Sequence, residues 1–103
     1  MKISILNLAP LRQGQNFKEA IDAMVKLAKK ADELGYERYW IAEHHNTKSV
    51  ASSATQLLIQ RTLDNTNNIR VGSGGVMLPN HSPYIVAEQY GTLETLYPGR
   101  VDL

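Results

Sequence analysis

The 103-residue sequence contains no cysteine. Disulfide staples, thiolate metal sites and a cysteine nucleophile are therefore excluded, and nothing argues for an oxidising compartment. Charge of one sign is also scarce: eleven basic and ten acidic residues leave a formal net charge of +1, dispersed along the chain. No footprint for nucleic acid or an anionic membrane surface results. Long apolar runs are missing too. The stretch from Ile3 to Leu6 is interrupted at Asn7, too short and too early for a signal peptide or a membrane span. No GxGxxG follows it, so the dinucleotide fingerprint is absent. What remains, 43% hydrophobic and 20% charged residues, is the composition of an ordinary globular domain. A cytoplasmic chain whose partners are small molecules or protein is the expectation.

The order of patterns predicts alternating strands and helices. Ile3 to Leu8 reads as a first strand. Asn16 with Glu19 three residues on is a capping-box spacing that starts a helix at Phe17. Its apolar residues Ala20, Ile21, Met24, Leu27, Ala28, Ala31 and Leu34 share one face, and Gly35 supplies a terminator. The segment Arg38 to His45, RYWIAEHH, is a second strand. A second helix carries Ala54, Leu57, Leu58 and Ile59 to about Leu63, with Ser49, Ser52 or Ser53 as equally eligible caps. After the turn cluster Asp64 to Asn68, Ile69 to Leu78 reads as a third strand. Ser82 and Pro83 open a third helix that buries Val86, Ala87, Tyr90 and Leu93. Arg100 to Leu103 begins a fourth apolar segment. Strand starts recur at roughly thirty to thirty-six residues, the length of one βα unit, which makes the chain βαβαβαβ with parallel strands.

Two stretches invite a chemical reading. The second strand stops in Glu43, His44 and His45, three titratable side chains at a carboxyl end. Alternation sends Trp40, Ala42 and His44 to one side and Tyr39, Ile41, Glu43 and His45 to the other, so the two histidines should not share a role. Adjacent histidines that point apart chelate one ion poorly, and His81 is the only other imidazole, so no metal centre is expected. Read from composition alone, the trio is a wet strand end. The second stretch, Ser73, Gly74 and Gly75, interrupts the third strand with residues that weaken it. A bulge, close strand packing or a bed for a ligand would each account for it.

The segments IAEHHNT, VGSGGVMLPNHSP and AEQYGTLETLYPGRVDL resemble, in order and spacing, the amino-terminal part of the bacterial luciferase-like flavin-dependent monooxygenases. The resemblance runs along the chain from the first strand. It implies the amino-terminal half of a TIM-type (β/α)₈ barrel, and reduced FMN delivered by a partner flavin reductase. It also implies activation of molecular oxygen for attack on a small organic substrate such as an aldehyde or ketone. The family's active-site histidine falls on His44, an imidazole able to act as general acid or base. Glu43 or His45 would orient neighbouring backbone or pair with a loop. Ser73, Gly74, Gly75 and Ala42 become cofactor-binding candidates, with a non-proline cis peptide expected at Gly74 and Gly75 under the flavin ring. Many relatives carry histidine immediately before the proline of the third helix. Here Ser82 holds that place and His81 precedes it, which leaves the role of His81 open. Glu88 reads as a salt-bridge partner.

A complete barrel needs about 250 residues, with its phosphate site in the loops after strands seven and eight. Residues 1–103 are therefore expected to form an amino-terminal half-barrel fragment with weak flavin affinity of its own. Two open sheet edges favour a homo-oligomer or association with the missing half. A non-catalytic truncated relative or interaction subunit, and a deazaflavin-dependent dehydrogenase of the same superfamily, are the alternatives.

Overall fold

The computed structural model describes residues 1–103 and contains four strands and three α-helices in strict alternation. They are β1 (Ser4–Asn7), α1 (Phe17–Glu33), β2 (Arg38–Ile41), α2 (Thr55–Asp64), β3 (Arg70–Ser73), α3 (Pro83–Leu96) and β4 (Val101–Asp102). A single 3₁₀ turn, Leu78–Asn80, precedes α3. All pairings are parallel, in the order β1-β2-β3-β4. This is the right-handed βαβ succession expected of an α/β chain, in which every crossover carries a helix.

The register aligns Ser4 with Arg38 and Arg38 with Arg70, and Leu6 with Trp40, Gly72 and then Asp102. Because side chains alternate along each strand, one set faces the helices. Tyr39, Ile41 and Val71 are fully buried there, against Ala20, Met24, Ala28 and Ala31 of α1, Leu58, Ile59 and Leu63 of α2, and Val86, Tyr90 and Leu93 of α3. Tyr39 places its hydroxyl where it donates to the Met24 carbonyl at 2.9 Å, and burial raises its phenol well above the ordinary value.

The other set faces away from the helices, and no layer covers it. Leu6 remains 58% exposed. On this face Asp102 accepts from Arg70 Nη2 at 2.6 Å and Nε at 2.8 Å, and from Arg38 Nε at 3.0 Å. One carboxylate thus ties β2, β3 and β4. The paired Arg70 guanidinium holds Asp102 below the usual carboxylate range.

Helix α1 begins as its sequence predicts. Asn16 Oδ1 accepts from the Glu19 N–H at 2.8 Å, and the Glu19 carboxylate accepts from the Asn16 N–H in return. At its other end Asp32 accepts from the backbone N–H groups of Asn67, Asn68 and Ile69. The turn before β3 is held from the far side by Arg100, which donates to the Thr66 and Ile69 carbonyls.

The structure corrects four local expectations. None of the three serines caps α2; Ala54 occupies that position and makes no side-chain hydrogen bond. Instead the Thr55 hydroxyl donates to the Ala42 carbonyl at 3.1 Å, which ties the helix start to the end of β2. The third strand ends at Ser73 rather than Leu78, because Gly75 at φ +108° turns the backbone out of the ladder directly after the Gly74 N–H bonds the Ile41 carbonyl. Ala87, Leu27 and Leu34 are exposed, whereas Val25, unassigned by the pattern, is buried. Glu88 makes no salt bridge: the ion pairs of the chain involve other acids.

Gly72 marks the tightest point of the uncovered face. A Cβ there would stand 2.5 Å from the Asp102 carbonyl oxygen and 2.8 Å from both the Asp102 Cβ and the Trp40 ring. Two of these three atoms belong to β4, one of them backbone, so they cannot swing aside. Gly72→Ala is expected to cost about 1 to 3 kcal/mol, the range for overpacking. A urea midpoint unchanged from wild type would refute this account of the β2–β4 contact.

Candidate functional site

All four strands run parallel, so their carboxyl ends share one edge, and the loops leaving that edge interlock. After β1, Asn7 Oδ1 accepts from the Ala9 N–H at 2.6 Å, and Ala9 adopts φ +48°. Ala9 and Leu11 then exchange backbone hydrogen bonds with Ala51 and Ser49 of the loop after β2. In that second loop the His44 N–H donates to the Ser52 carbonyl at 2.9 Å, and Asn46 takes φ +54°. The result is a rim of fixed backbone around the ends of β1 and β2.

Glu43 lies immediately beyond β2 and is the hub of this edge. Its side chain is fully buried. Oε2 contacts His45 Nε2 at 2.6 Å and His81 Nε2 at 2.9 Å; Oε1 lies 3.0 Å from the same His81 nitrogen and 3.4 Å from the Met77 N–H, which donates to it. Burial by itself would raise the carboxyl pKa, but the hydrogen bonds from His45, His81 and Met77, with the charge of His81, bring it below its ordinary value. An ionised carboxylate can remain buried because each oxygen has a donor. Two loops 38 residues apart in sequence are fastened through it.

The expected site residues arrive at this edge in different ways. His44 is exposed and its side chain makes no hydrogen bond, while its backbone is pinned. Ala42 is buried, and its Cα lies 3.6 Å from where a Gly74 Cβ would stand. Such a Cβ would also meet Leu6 Cδ1 at 2.7 Å, the end of an exposed side chain that can swing aside. Gly74 and Gly75 are exposed, and nothing lies within 4 Å of the Cβ position of Gly75. Ser73 differs: it is buried, and its hydroxyl has no hydrogen-bond partner. It turns toward α3, where the similarly unpartnered Tyr90 hydroxyl sits. Burial raises the Tyr90 phenol pKa; Ser73 opposes that rise and the charge of Glu43 adds to it. The cis peptide expected at Gly74 and Gly75 is not found: every peptide bond is trans.

The sequence pattern brought Glu43 and His45 to one side and His44 to the other, as the contacts have it. It missed His81, because no local spacing links a residue before α3 to the end of β2. The hollow between α2 and α3, of about 390 Å³ and lined by Gln56, Leu57, Glu88 and Leu93 among others, takes in none of the strand-end residues and only one titratable group. The chemistry lies at the open edge.

A parallel α/β sheet with polar groups clustered at the carboxyl strand ends is common to doubly wound sheets and TIM-type barrels. The family model described as Luciferase-like monooxygenase matches residues 1–103, and the chain belongs to that family. A luciferase-like monooxygenase of Escherichia coli (strain K12) is 55% identical over 100 residues, covering 97% of this chain and 30% of that protein. Among solved structures, apo-MsnO8 superposes with a TM-score of 0.96 at 46% identity, over 99% of this chain and 31% of the other. The FMN complex of the oxygenating constituent of 3,6-diketocamphane monooxygenase from Pseudomonas putida gives 0.91 at 26%, over 100% and 28%. An F420-dependent secondary alcohol dehydrogenase bound to an F420-acetone adduct gives 0.72 at 25%, over 100% and 31%. The chain thus spans about 30% of the length of the curated relatives it matches, and its four strands are those of the amino-terminal half of a TIM-type barrel.

The Glu43 cluster makes acid stability testable. A carboxyl whose folded pKa is lowered contributes stability that is present above its unfolded value and lost as pH falls through the folded one. The stability advantage of wild type over Glu43→Gln, read from urea midpoints, is therefore expected to be full near neutrality and to vanish on acidification below the usual carboxylate range. Glu43→Ala should cost about 1.5 to 3 kcal/mol, as loss of hydrogen bonds to a charged group does. An advantage independent of pH would remove the ionised carboxylate from the account.

Proposed function

We propose that residues 1–103 form the amino-terminal half-barrel of a flavin-dependent monooxygenase, an oxidoreductase acting with molecular oxygen on a small organic substrate. The observation that carries this reading is the bare backbone at Gly74 and Gly75. Gly75 is held at φ +108° with open space where a side chain would stand, at the same carboxyl edge of the sheet as the exposed His44 and the buried Glu43. Flat aromatic ligands lie closely on backbone that carries no side chain. The FMN-bound relative supports FMN as the group that rests there.

In this reading the backbone of Ser73, Gly74 and Gly75, with Ala42 behind it, holds one face of the ring. The side chain of Ser73, being turned toward α3, contributes only backbone. Reduced FMN, when bound, supplies the electrons that activate oxygen. His44 presents its imidazole without any internal partner, so both ring nitrogens are free to take a proton from, or return one to, a reacting oxygen atom. Glu43 does not reach the reacting atoms; it fixes the loops on either side.

Because the chain contains four strands, the groups that hold the flavin phosphate and most of the substrate pocket belong to the other half of the barrel. A flavin reductase supplies the reduced cofactor, and the uncovered face bearing Leu6 and Trp40 packs against that other half or against a second copy. A deazaflavin-dependent dehydrogenase is the second reading, favoured by the likeness to the F420-dependent alcohol dehydrogenase. No helix is long and apolar enough to cross a membrane, in keeping with a cytoplasmic reaction.

Titration of the chain with reduced and oxidised FMN, alone and with the remaining barrel segment of a relative, tests the proposal. Weak binding alone and tighter binding with the added segment are expected. Oxygenated product from the complex should fall about 10²- to 10⁴-fold in His44→Ala, the range for losing a general acid or base. Absence of FMN binding under every condition overturns the reading, and hydride transfer to a deazaflavin replaces it with the second.

A further inference from the structure

Glu43, His45 and His81 do more than satisfy one another. Their ligand atoms, one carboxylate oxygen and two imidazole Nε2, all lie within 4.8 Å of one another. Oε2 is 2.6 Å from one nitrogen and 2.9 Å from the other. Donors at right angles about an ion with bonds of about 2.1 Å are separated by about 3 Å, so these spacings need to open by only a few tenths of an ångström. Both rings turn the same nitrogen inward, although they come from loops on either side of β3. The carboxylate is fully buried, whereas the His45 and His81 side chains keep 38% and 22% of their surface, which leaves an entry path for an ion and open positions for water.

We infer that Glu43, His45 and His81 form a binding site for a divalent first-row transition metal ion, independent of any flavin. Two imidazoles and one carboxylate converging from one side suit zinc, cobalt, nickel or ferrous iron, and the nitrogen donors disfavour magnesium and calcium. Ligation takes the place of the hydrogen bonds between the imidazoles and the carboxylate, with each ring binding through Nε2 and carrying its proton on Nδ1. Neither ring's Nδ1 donates to a protein acceptor. Since outer-shell partners of ligating histidines are commonly worth 10- to 100-fold in affinity, the site should bind in the micromolar range instead of reaching the tightness of structural zinc centres.

Cobalt(II) titration of the flavin-free chain reads the site directly. Visible ligand-field bands that saturate at one equivalent are expected. Zinc should displace cobalt and erase the bands. Glu43→Gln, His45→Ala and His81→Ala should each weaken binding about 10-fold or more, while His44→Ala leaves it unchanged; circular dichroism confirms that each variant is folded, and Glu43→Asp serves where Glu43→Gln is not. A folded chain that gives no bands shows a hydrogen-bonded cluster only, and overturns the inference. A cobalt affinity left unchanged by His81→Ala overturns it as well, since the ion then sits elsewhere. No outcome depends on FMN binding or oxygenation, so this site and the flavin reading stand or fall separately.

Discussion

Parallel pairing in a fixed register is the constraint on which the rest of this structure depends. Aligning Ser4, Arg38 and Arg70 as one rank decides at a stroke which side chains meet helices and which do not, because the side-chain period along a strand is two. Tyr39, Ile41 and Val71 are driven into the helix layer and become fully buried. Trp40, Gly72 and Asp102 are driven to the opposite face, where Gly72 must lack a side chain for β4 to close against Trp40. A slip of one residue would reverse both sets and place Arg38 and Arg70 among Met24 and Ile59, a cost no local interaction could offset. Parallelism has a second consequence: every strand ends at the same edge, so the groups just beyond β1, β2 and β3 become neighbours whatever their separation in sequence.

At that edge the dominant interaction is electrostatic. Burying Glu43 as an ion would be prohibitive without compensation, and the compensation comes from His45, His81 and the Met77 N–H. The requirement works in both directions. The carboxylate needs its donors, and those donors fix the loop between β3 and α3 relative to the end of β2. Gly74 and Gly75 lie within that loop's first residues, so their exposed backbone and the carboxylate cluster are positioned by the same set of bonds. The uncovered face is a third element, held by the ion pairs of Arg38 and Arg70 with Asp102 across three strands.

Much of the architecture was legible in the chain. The Asn16 and Glu19 capping box, the stripe of α1, the Ser82-Pro83 start of α3 and the spacing of strand starts all express short-range rules that act within about four residues, and the helices and strands follow them. Three particulars were not legible. The start of α2 escaped because Thr55 bonds to β2 instead of a serine capping the helix. The end of β3 escaped because apolar residues from Val76 to Leu78 continue a strand pattern that the backbone at Gly75 breaks. His81 escaped because it meets Glu43 only after the crossover through α2 brings their loops together.

The sequence by itself determined the parallel α/β class, the start of α1 that rests on its capping box, and the burial of Tyr39 and Ile41 in alternation with Arg38 and Trp40, since alternation needs nothing beyond the strand. Tertiary structure alone decided that Glu43 is buried, that His81 is its partner, and that Ser73 turns toward Tyr90. Those outcomes depend on which distant groups are close enough to replace water around a charge or a hydroxyl, and no spacing along a single chain segment encodes that.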